Sequence, residues 1–229
     1  MMLFSAFLLG GIVGILLWLY VANFIERLQR DIYHTYLELF PQCPPLFRPH
    51  LAAIQRKKCG HILRYFFCCG MVFAALINLT DNPFLALWLG SSVILLWAIA
   101  YLDWQYQLIS PTPCLWLTTL GLMGATQSFS FLTLEESLQS AVVFFLVFYG
   151  IYWGAKWLYK KEAFGQGDYW LALGIGSYLP LEHLPYFLLI ACLLGIVFAL
   201  ICQKRNTFLP FAPFLCVSTF VVWLFNYSL

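Results

Sequence analysis

Eight apolar stretches divide the chain, and this pattern constrains its fold more than any other feature. A bilayer core about 30 Å thick needs about 20 helical residues to cross it. The stretches cover residues 3–24, 62–79, 84–102, 112–130, 138–159, 169–179, 184–202 and 209–227. The sixth is too short to cross without its neighbours. Because 62% of the residues are hydrophobic, against about 45–50% in soluble domains, the sequence predicts an all-α, polytopic membrane helix bundle of about eight spans.

The charged residues predict how these spans are oriented. If the N-terminus lies outside and eight spans alternate, every Lys and Arg falls in an inner segment, as the positive-inside rule requires. The inner set is Arg27, Arg30, Arg48, Arg56, Lys57, Lys58, Arg64, Lys156, Lys160, Lys161, Lys204 and Arg205, and the outer loops carry Asp81, Glu135, Glu136 and Glu182. A net charge of +2 gives no dense basic face for nucleic acid. We therefore expect contacts with membrane lipids and no nucleic-acid partner.

Two aspartates mark the candidate site. Asp103 follows the third stretch, and Asp168 precedes the sixth and closes the tetrapeptide Gly165-Gln166-Gly167-Asp168. In the predicted topology both lie at the cytoplasmic face. Carboxylates at a hydrocarbon boundary are costly and commonly mark a functional site. Since glycine has no side chain, we expect Gly165 and Gly167 to let a substrate strand or a neighbouring helix approach the backbone, with positive φ available to them.

A pair of carboxyl groups suits peptide hydrolysis. Two carboxylates a few Å apart cannot both ionise freely, so they share a proton. One then takes a proton from water while the other polarises the scissile carbonyl. Each aspartate also has a simpler interpretation that needs no chemistry. Asp103 suits an interfacial acid in an aromatic belt, and Asp168 suits an N-cap of the sixth span.

Three segments carry a resemblance to a known family. They are Tyr101-Leu102-Asp103-Trp104-Gln105-Tyr106-Gln107-Leu108-Ile109, then Gly165-Gln166-Gly167-Asp168 followed by Leu171-Ala172-Leu173-Gly174, and finally Leu209-Pro210-Phe211-Ala212-Pro213-Phe214. From about residue 84 onward the chain resembles the type IV prepilin peptidases, which are Gly-x-Gly-Asp membrane aspartyl proteases. The resemblance implies that Asp103 and Asp168 are the catalytic pair of an aspartic endopeptidase without a cofactor. Such an enzyme cuts the short basic leader from type IV prepilins, or from type II secretion pseudopilins, at the cytoplasmic face of the bacterial inner membrane.

The front of the chain departs from this family pattern. Many members have two Cys-x-x-Cys pairs in the loop after the first span, associated with zinc and with methylation of the new N-terminus. Here Cys43 and Cys59 stand alone, and two thiolates do not make a closed zinc site. His50 and His61 offer an alternative ligand set with them, but the spacing matches no established pattern. We therefore expect residues 1–83 to be a reduced methyltransferase-like region without metal or methyltransferase activity, and residues 84–229 to be a six-span peptidase core.

Three other functions remain open at this level, one of them that of an inactive assembly scaffold. An intramembrane protease of the presenilin or signal-peptide-peptidase type would share the two aspartates but cut inside a transmembrane helix. An ion-coupled transporter would use them as a relay, although the sequence shows no internal repeat of the kind that many transporters have. The sequence leaves the particular prepilin and the oligomeric state undetermined.

Overall fold

A computed structural model describes residues 2–42, 54–80, 82–160, 165–202 and 209–228. Within these ranges the chain forms α-helices and one 3₁₀ turn at Leu181–His183, and it contains no strand. The helices are α1 (Met2–Leu39), α2 (Ile62–Leu79), α3 (Pro83–Tyr106), α4 (Pro111–Ala125), α5 (Leu134–Tyr159), α6 (Gln166–Gly176), α7 (Leu184–Ile201) and α8 (Ala212–Ser228). The predicted all-α fold is confirmed.

Every helix coincides with one of the eight apolar stretches. Five segments are long and apolar enough to cross a bilayer, namely α1, α2, α3, α5 and the stretch Leu181–Ile201 that contains α7. The remaining helices α4, α6 and α8 have 15, 11 and 17 residues. At 1.5 Å per residue these are about 17–26 Å long, less than the hydrocarbon thickness. The chain is a multi-pass membrane protein, while the count of eight crossings and the outside N-terminus stay predictions.

Helix α1 continues well beyond the predicted first span. Its 38 residues are about 57 Å long, roughly twice the hydrocarbon thickness. Arg27 and Arg30, which lie beyond the predicted end of the first span at residue 24, belong to this helix. The helix persists because the sequence from residue 15 to residue 40 contains neither glycine nor proline, and it ends just before Pro41, where proline disfavours continuation.

The first of two compact units comprises Met1–Gly90 and is built mainly from α1 and α2. Glycines on α1 allow a close approach to α2. A Cβ atom placed on Gly10 would lie 2.7 Å from the carbonyl oxygen of Cys69 and 2.8 Å from Cβ of Phe73. Outside the packed helices, Arg56 forms a half-exposed ion pair with Glu26 at 3.2 Å, and an exposed pair of this kind contributes little to stability.

The second unit comprises Ser91–Leu229, and α6 lies at its centre. A Cβ on Gly174 would stand 2.9 Å from Leu117 of α4, and one on Gly176 would stand 2.8 Å from Cβ of Phe144 in α5. The surrounding core contains fully buried side chains from five helices, namely Leu117, Phe144, Phe148, Leu171, Ile175, Phe187 and Leu215. Close packing on two sides fixes α6 in position, and with it the aspartate in its first turn.

Candidate active site

Asp103 lies in the last turn of α3. The helix extends one turn beyond the predicted end at residue 102 and finishes at Tyr106, where Gln107 adopts a positive φ of 53°. The side chain of Asp103 is buried, with 5% of its surface exposed. Its Oδ2 accepts a hydrogen bond of 2.9 Å from the backbone N–H of Ala212. One buried carboxylate oxygen is therefore held by the start of α8.

Asp168 is the third residue of α6. Gly165 is the N-cap of this helix, and the Asp168 carboxylate interacts with the Gly165 backbone amide. Only 4% of the aspartate is exposed. Within the described part of the chain, its Oδ1 atom has no hydrogen-bond partner. A buried carboxylate oxygen without a partner is costly in a structural role and is available to a bound molecule.

The fold brings the two aspartates together. Their carboxyl groups are close enough to interact electrostatically although they come from different helices. The thiol of Cys216 lies near both carboxyl groups, and that of Cys114 lies near Asp168. Since neither thiol brings a positive charge, these neighbours do not neutralise the pair. Two buried acids in this arrangement can share one proton, as acid/base hydrolysis of a peptide requires.

Of the two simpler interpretations, the one for Asp168 is wrong. Asp168 is not the N-cap of α6, because Gly165 occupies that position, although the Asp168 carboxylate interacts with the backbone amide of Gly165. An interfacial position for Asp103 stays a prediction, and its side chain is buried while the adjacent Trp104 is 47% exposed. The helix periodicity explains this difference, since successive residues point about 100° apart.

The two glycines allow close approach, but not through positive φ. Gly165 has a φ of −68°, and Gly60 is the one glycine with a positive φ in the described ranges. A Cβ on Gly167 would overlap with Cβ of Ile109, in the connection that follows α3, and one on Gly165 would lie 2.9 Å from Asp168 Oδ2. The space beside Gly167 is thus filled by the chain itself, and an approach by substrate remains a prediction for both glycines.

The alternative metal set falls partly outside the described residues. Cys43 and His50 are not among the described residues, whereas Cys59 and His61 are. Cys59 is buried, and its thiol lies 3.4 Å from the carbonyl oxygen of Lys57, while His61 precedes the first residue of α2. Among the residues that the structure describes, no group of three or more His, Cys, Asp or Glu side chains is arranged for a metal ion.

Two contacts at the site were not predicted from the sequence. The Ala212 N–H belongs to the main chain, so no side-chain type signals its role, although the surrounding Pro-Phe-Ala-Pro-Phe segment contributed to the family resemblance. The second contact joins Gln166 Nε2 to the hydroxyl of Tyr152 at 3.0 Å and fastens the start of α6 to α5. Lys156 Nζ lies 3.4 Å from the same hydroxyl. Glu162, which is near Asp168 in sequence, lies outside the described residues.

Comparison of the sequence with known proteins shows which family the chain belongs to. The model of the type IV leader peptidase family matches residues 90–200, which include both aspartates. A Haemophilus influenzae protein named prepilin leader peptidase/N-methyltransferase is 57% identical over 227 residues, or 99% of each chain. The chain belongs to the type IV leader peptidase family. The resemblance inferred from the three sequence segments is therefore confirmed.

More distant relatives match a smaller part of the chain. An Escherichia coli protein named type 4 prepilin-like proteins leader peptide-processing enzyme is 38% identical over 98 residues, covering 43% of this chain and 36% of its own length. A prepilin leader peptidase/N-methyltransferase of Dichelobacter nodosus is 29% identical over 142 residues, covering 60% of this chain and 49% of its own length. No solved structure gives a significant match. The chain thus spans half or less of these two relatives but nearly all of the Haemophilus leader peptidase.

Proposed function

We propose that this leader peptidase is an aspartic endopeptidase that removes the short basic leader from type IV prepilins or pseudopilins. The observation that carries the proposal is the meeting of Asp103 and Asp168, both buried and close enough to interact electrostatically. Membership of the family supports the substrate class. The names of its relatives favour a leader peptidase over a presenilin-type protease or an ion-coupled transporter.

The proposed mechanism uses the two carboxyl groups in different protonation states. Asp103 acts as the base that takes a proton from water, because the N–H of Ala212 donates to its Oδ2 and stabilises the ionised form. Asp168, whose Oδ1 has no partner among the described residues, carries the shared proton and polarises the scissile carbonyl. The water oxygen bonds to the carbonyl carbon and forms a tetrahedral intermediate. This intermediate collapses with cleavage of the C–N bond as the base returns its proton to the leaving amine, and the leader is released.

The site has to receive both water and an unfolded peptide. A helix keeps its peptide carbonyls in intrahelical bonds, so the scissile segment should bind as an extended strand. The positive-inside pattern supports an active site that opens to the cytoplasm of a bacterial inner membrane. Gly165 is the position where we expect the peptide backbone to come close to α6, since the space beside Gly167 is filled by Ile109.

Methyltransferase activity is not part of this proposal. The Haemophilus relative carries N-methyltransferase in its name, whereas the cysteine pairs associated with that region are reduced to single cysteines in this chain. Mass spectrometry of the mature product made by the purified protein separates the two expectations. An unmodified N-terminus agrees with a peptidase alone, and an N-methylated one would show that the reduced loop still supports methylation.

The peptidase proposal is tested by replacing each aspartate with asparagine, which keeps the shape and removes the ionisable proton. Cleavage of a model prepilin in membranes should fall to background in Asp103→Asn and in Asp168→Asn. Glu182→Gln is the matched carboxyl-to-amide control, because Glu182 is exposed and lies in a predicted outer loop. With all three proteins present at equal levels, cleavage by either aspartate variant would exclude the two-carboxylate mechanism.

A further inference from the structure

We propose that the backbone N–H of Ala212 is a positioning group for leader cleavage, holding the Asp103 carboxylate in its orientation toward Asp168. This inference rests on the function proposed above. Ala212 touches neither water nor peptide in this role, and it acts through the aspartate to which it donates.

The contact is buried and joins distant parts of the second unit. Ala212 N donates to Asp103 Oδ2 at 2.9 Å across 109 positions of sequence. Ala212 has no exposed surface, and Asp103 is 5% exposed. A hydrogen bond from a neutral donor to a buried carboxylate is stronger than one between neutral groups, because little water competes for either partner.

The start of α8 leaves this one donor free for the aspartate. The first amides of a helix have no partner within the helix. Here Pro213 has no N–H, and the amides of Phe214 and Leu215 both donate to the carbonyl oxygen of Phe211. Ala212 therefore carries the sole donor in the first turn that the helix does not use. Its direction is set by the turn, not by a flexible side chain.

A main-chain donor suits this role for a physical reason. The oxygen held by Ala212 cannot rotate away without losing the bond, so the other oxygen of Asp103 keeps a fixed direction. Catalysis by paired groups depends on such alignment, and a displacement of about 1 Å can lower the rate about 100-fold. Loss of the donor should therefore lower kcat, whereas the affinity for the leader, which rests on other contacts, should change little.

The direct test replaces the amide with an ester. Incorporating lactic acid in place of Ala212 exchanges N–H for oxygen and preserves the shape of the chain. The matched control is the same exchange at Leu134, the exposed first residue of α5, with the hydroxy acid of leucine. Each ester also makes the carbonyl oxygen of the preceding residue a weaker acceptor. In both cases that oxygen accepts a hydrogen bond in the first turn of a helix, Phe211 O from the Phe214 amide and Thr133 O from the Ser137 amide. Only the exchange at 212 removes a donor to a carboxylate.

A pair of proline variants provides a second test. Proline is well accepted as the first residue of a helix, so Ala212→Pro keeps the helix start, removes the donor and places a ring carbon against Asp103. Leu134→Pro makes the same change away from the site. Thermal unfolding of each reconstituted protein shows whether it folds. If Ala212→Pro does not fold, the comparison of the two esters tests the role of the Ala212 N–H.

Cleavage of a model prepilin is measured for kcat and KM separately. The ester at 212 should lower kcat about 10- to 100-fold and leave KM within about twofold, while the ester at 134 keeps both values. The proposal is overturned if kcat is unchanged at 212, if KM alone rises, or if both esters lose activity equally. Asp103→Asn separates the two levels of inference: its retention of cleavage would reject the peptidase mechanism itself, whereas its inactivity beside a fully active ester would reject the role of Ala212 alone.

Discussion

Gly167→Ala should separate the two segments that carry the aspartates. The new Cβ would overlap with Cβ of Ile109 and would stand 3.0 Å and 3.1 Å from its Cγ2 and Cδ1 atoms. Carbon atoms in contact prefer about 3.5–4.0 Å, so the start of α6 and the connection after α3 must move apart by about 1 Å. Rotation of the Ile109 side chain cannot relieve the overlap, because Cβ is attached directly to the backbone.

The size of the effect follows from this displacement. Overpacking of a well-packed site costs about 1–3 kcal/mol of stability, and a shift of about 1 Å between catalytic groups lowers the rate by about 100-fold. We therefore expect Gly167→Ala to fold with a lower melting temperature and to lose about two orders of magnitude in kcat/KM. Cleavage of a model prepilin by the purified protein in lipid provides the assay.

Two further variants make this test specific. Gly154→Ala adds the same methyl group to α5 where no atom lies within 4 Å, and its activity should equal that of the unmodified protein. Ile109→Gly removes the clashing Cβ, so combining it with Gly167→Ala should restore activity relative to Gly167→Ala alone. Full activity of Gly167→Ala would refute the steric argument. A double variant whose loss of activity equals the product of the two single losses would refute it as well.

The surroundings of α6 and of the carboxyl pair provide three more expected outcomes. Tyr152→Phe removes the hydroxyl that accepts from Gln166 and should lower the free energy of unfolding by about 1 kcal/mol; an unchanged thermal unfolding curve would contradict this. Gly176→Ala brings a methyl group to 2.8 Å from Phe144 Cβ and should cost about 1–3 kcal/mol, whereas Gly150→Ala, which meets no atom within 4 Å, should unfold at or above the original temperature. If the carboxyl pair shares one proton, cleavage plotted against pH is bell-shaped, and a single ionisation across the acid range would argue against sharing.

The helices and the aspartate pair were predictable because each leaves a strong signal in the sequence. Apolar stretches mark helices in lipid, and α2 begins and ends at the predicted residues. The predicted topology brings Asp103 and Asp168 to the same face, since Asp103 follows the third predicted span and Asp168 precedes the sixth. The signal comes from the high cost of placing a charged group in hydrocarbon.

Other features were missed because they depend on groups without such a signal. The continuation of α1 to Leu39 lies in a polar segment, where hydropathy falls although the backbone remains helical. The Ala212 contact comes from an amide that every residue except proline possesses, and its partner is fixed only by the packing of α8. The interaction of Tyr152 with Gln166 likewise joins two ordinary polar residues 14 positions apart, a distance that no local pattern predicts.

The central claim is that Asp103 and Asp168 act as one unit, and single-turnover cleavage by the reconstituted protein tests it most directly. The substrate is a model prepilin, and the variants are Asp103→Asn, Asp168→Asn and the double substitution. Residues that act as a unit are strongly non-additive. We expect each single variant to lose about 10⁴-fold or more in rate, and the double variant to lose no more than either. Independent losses that multiply in the double variant, or a loss of less than about 100-fold in either single variant, would contradict the account.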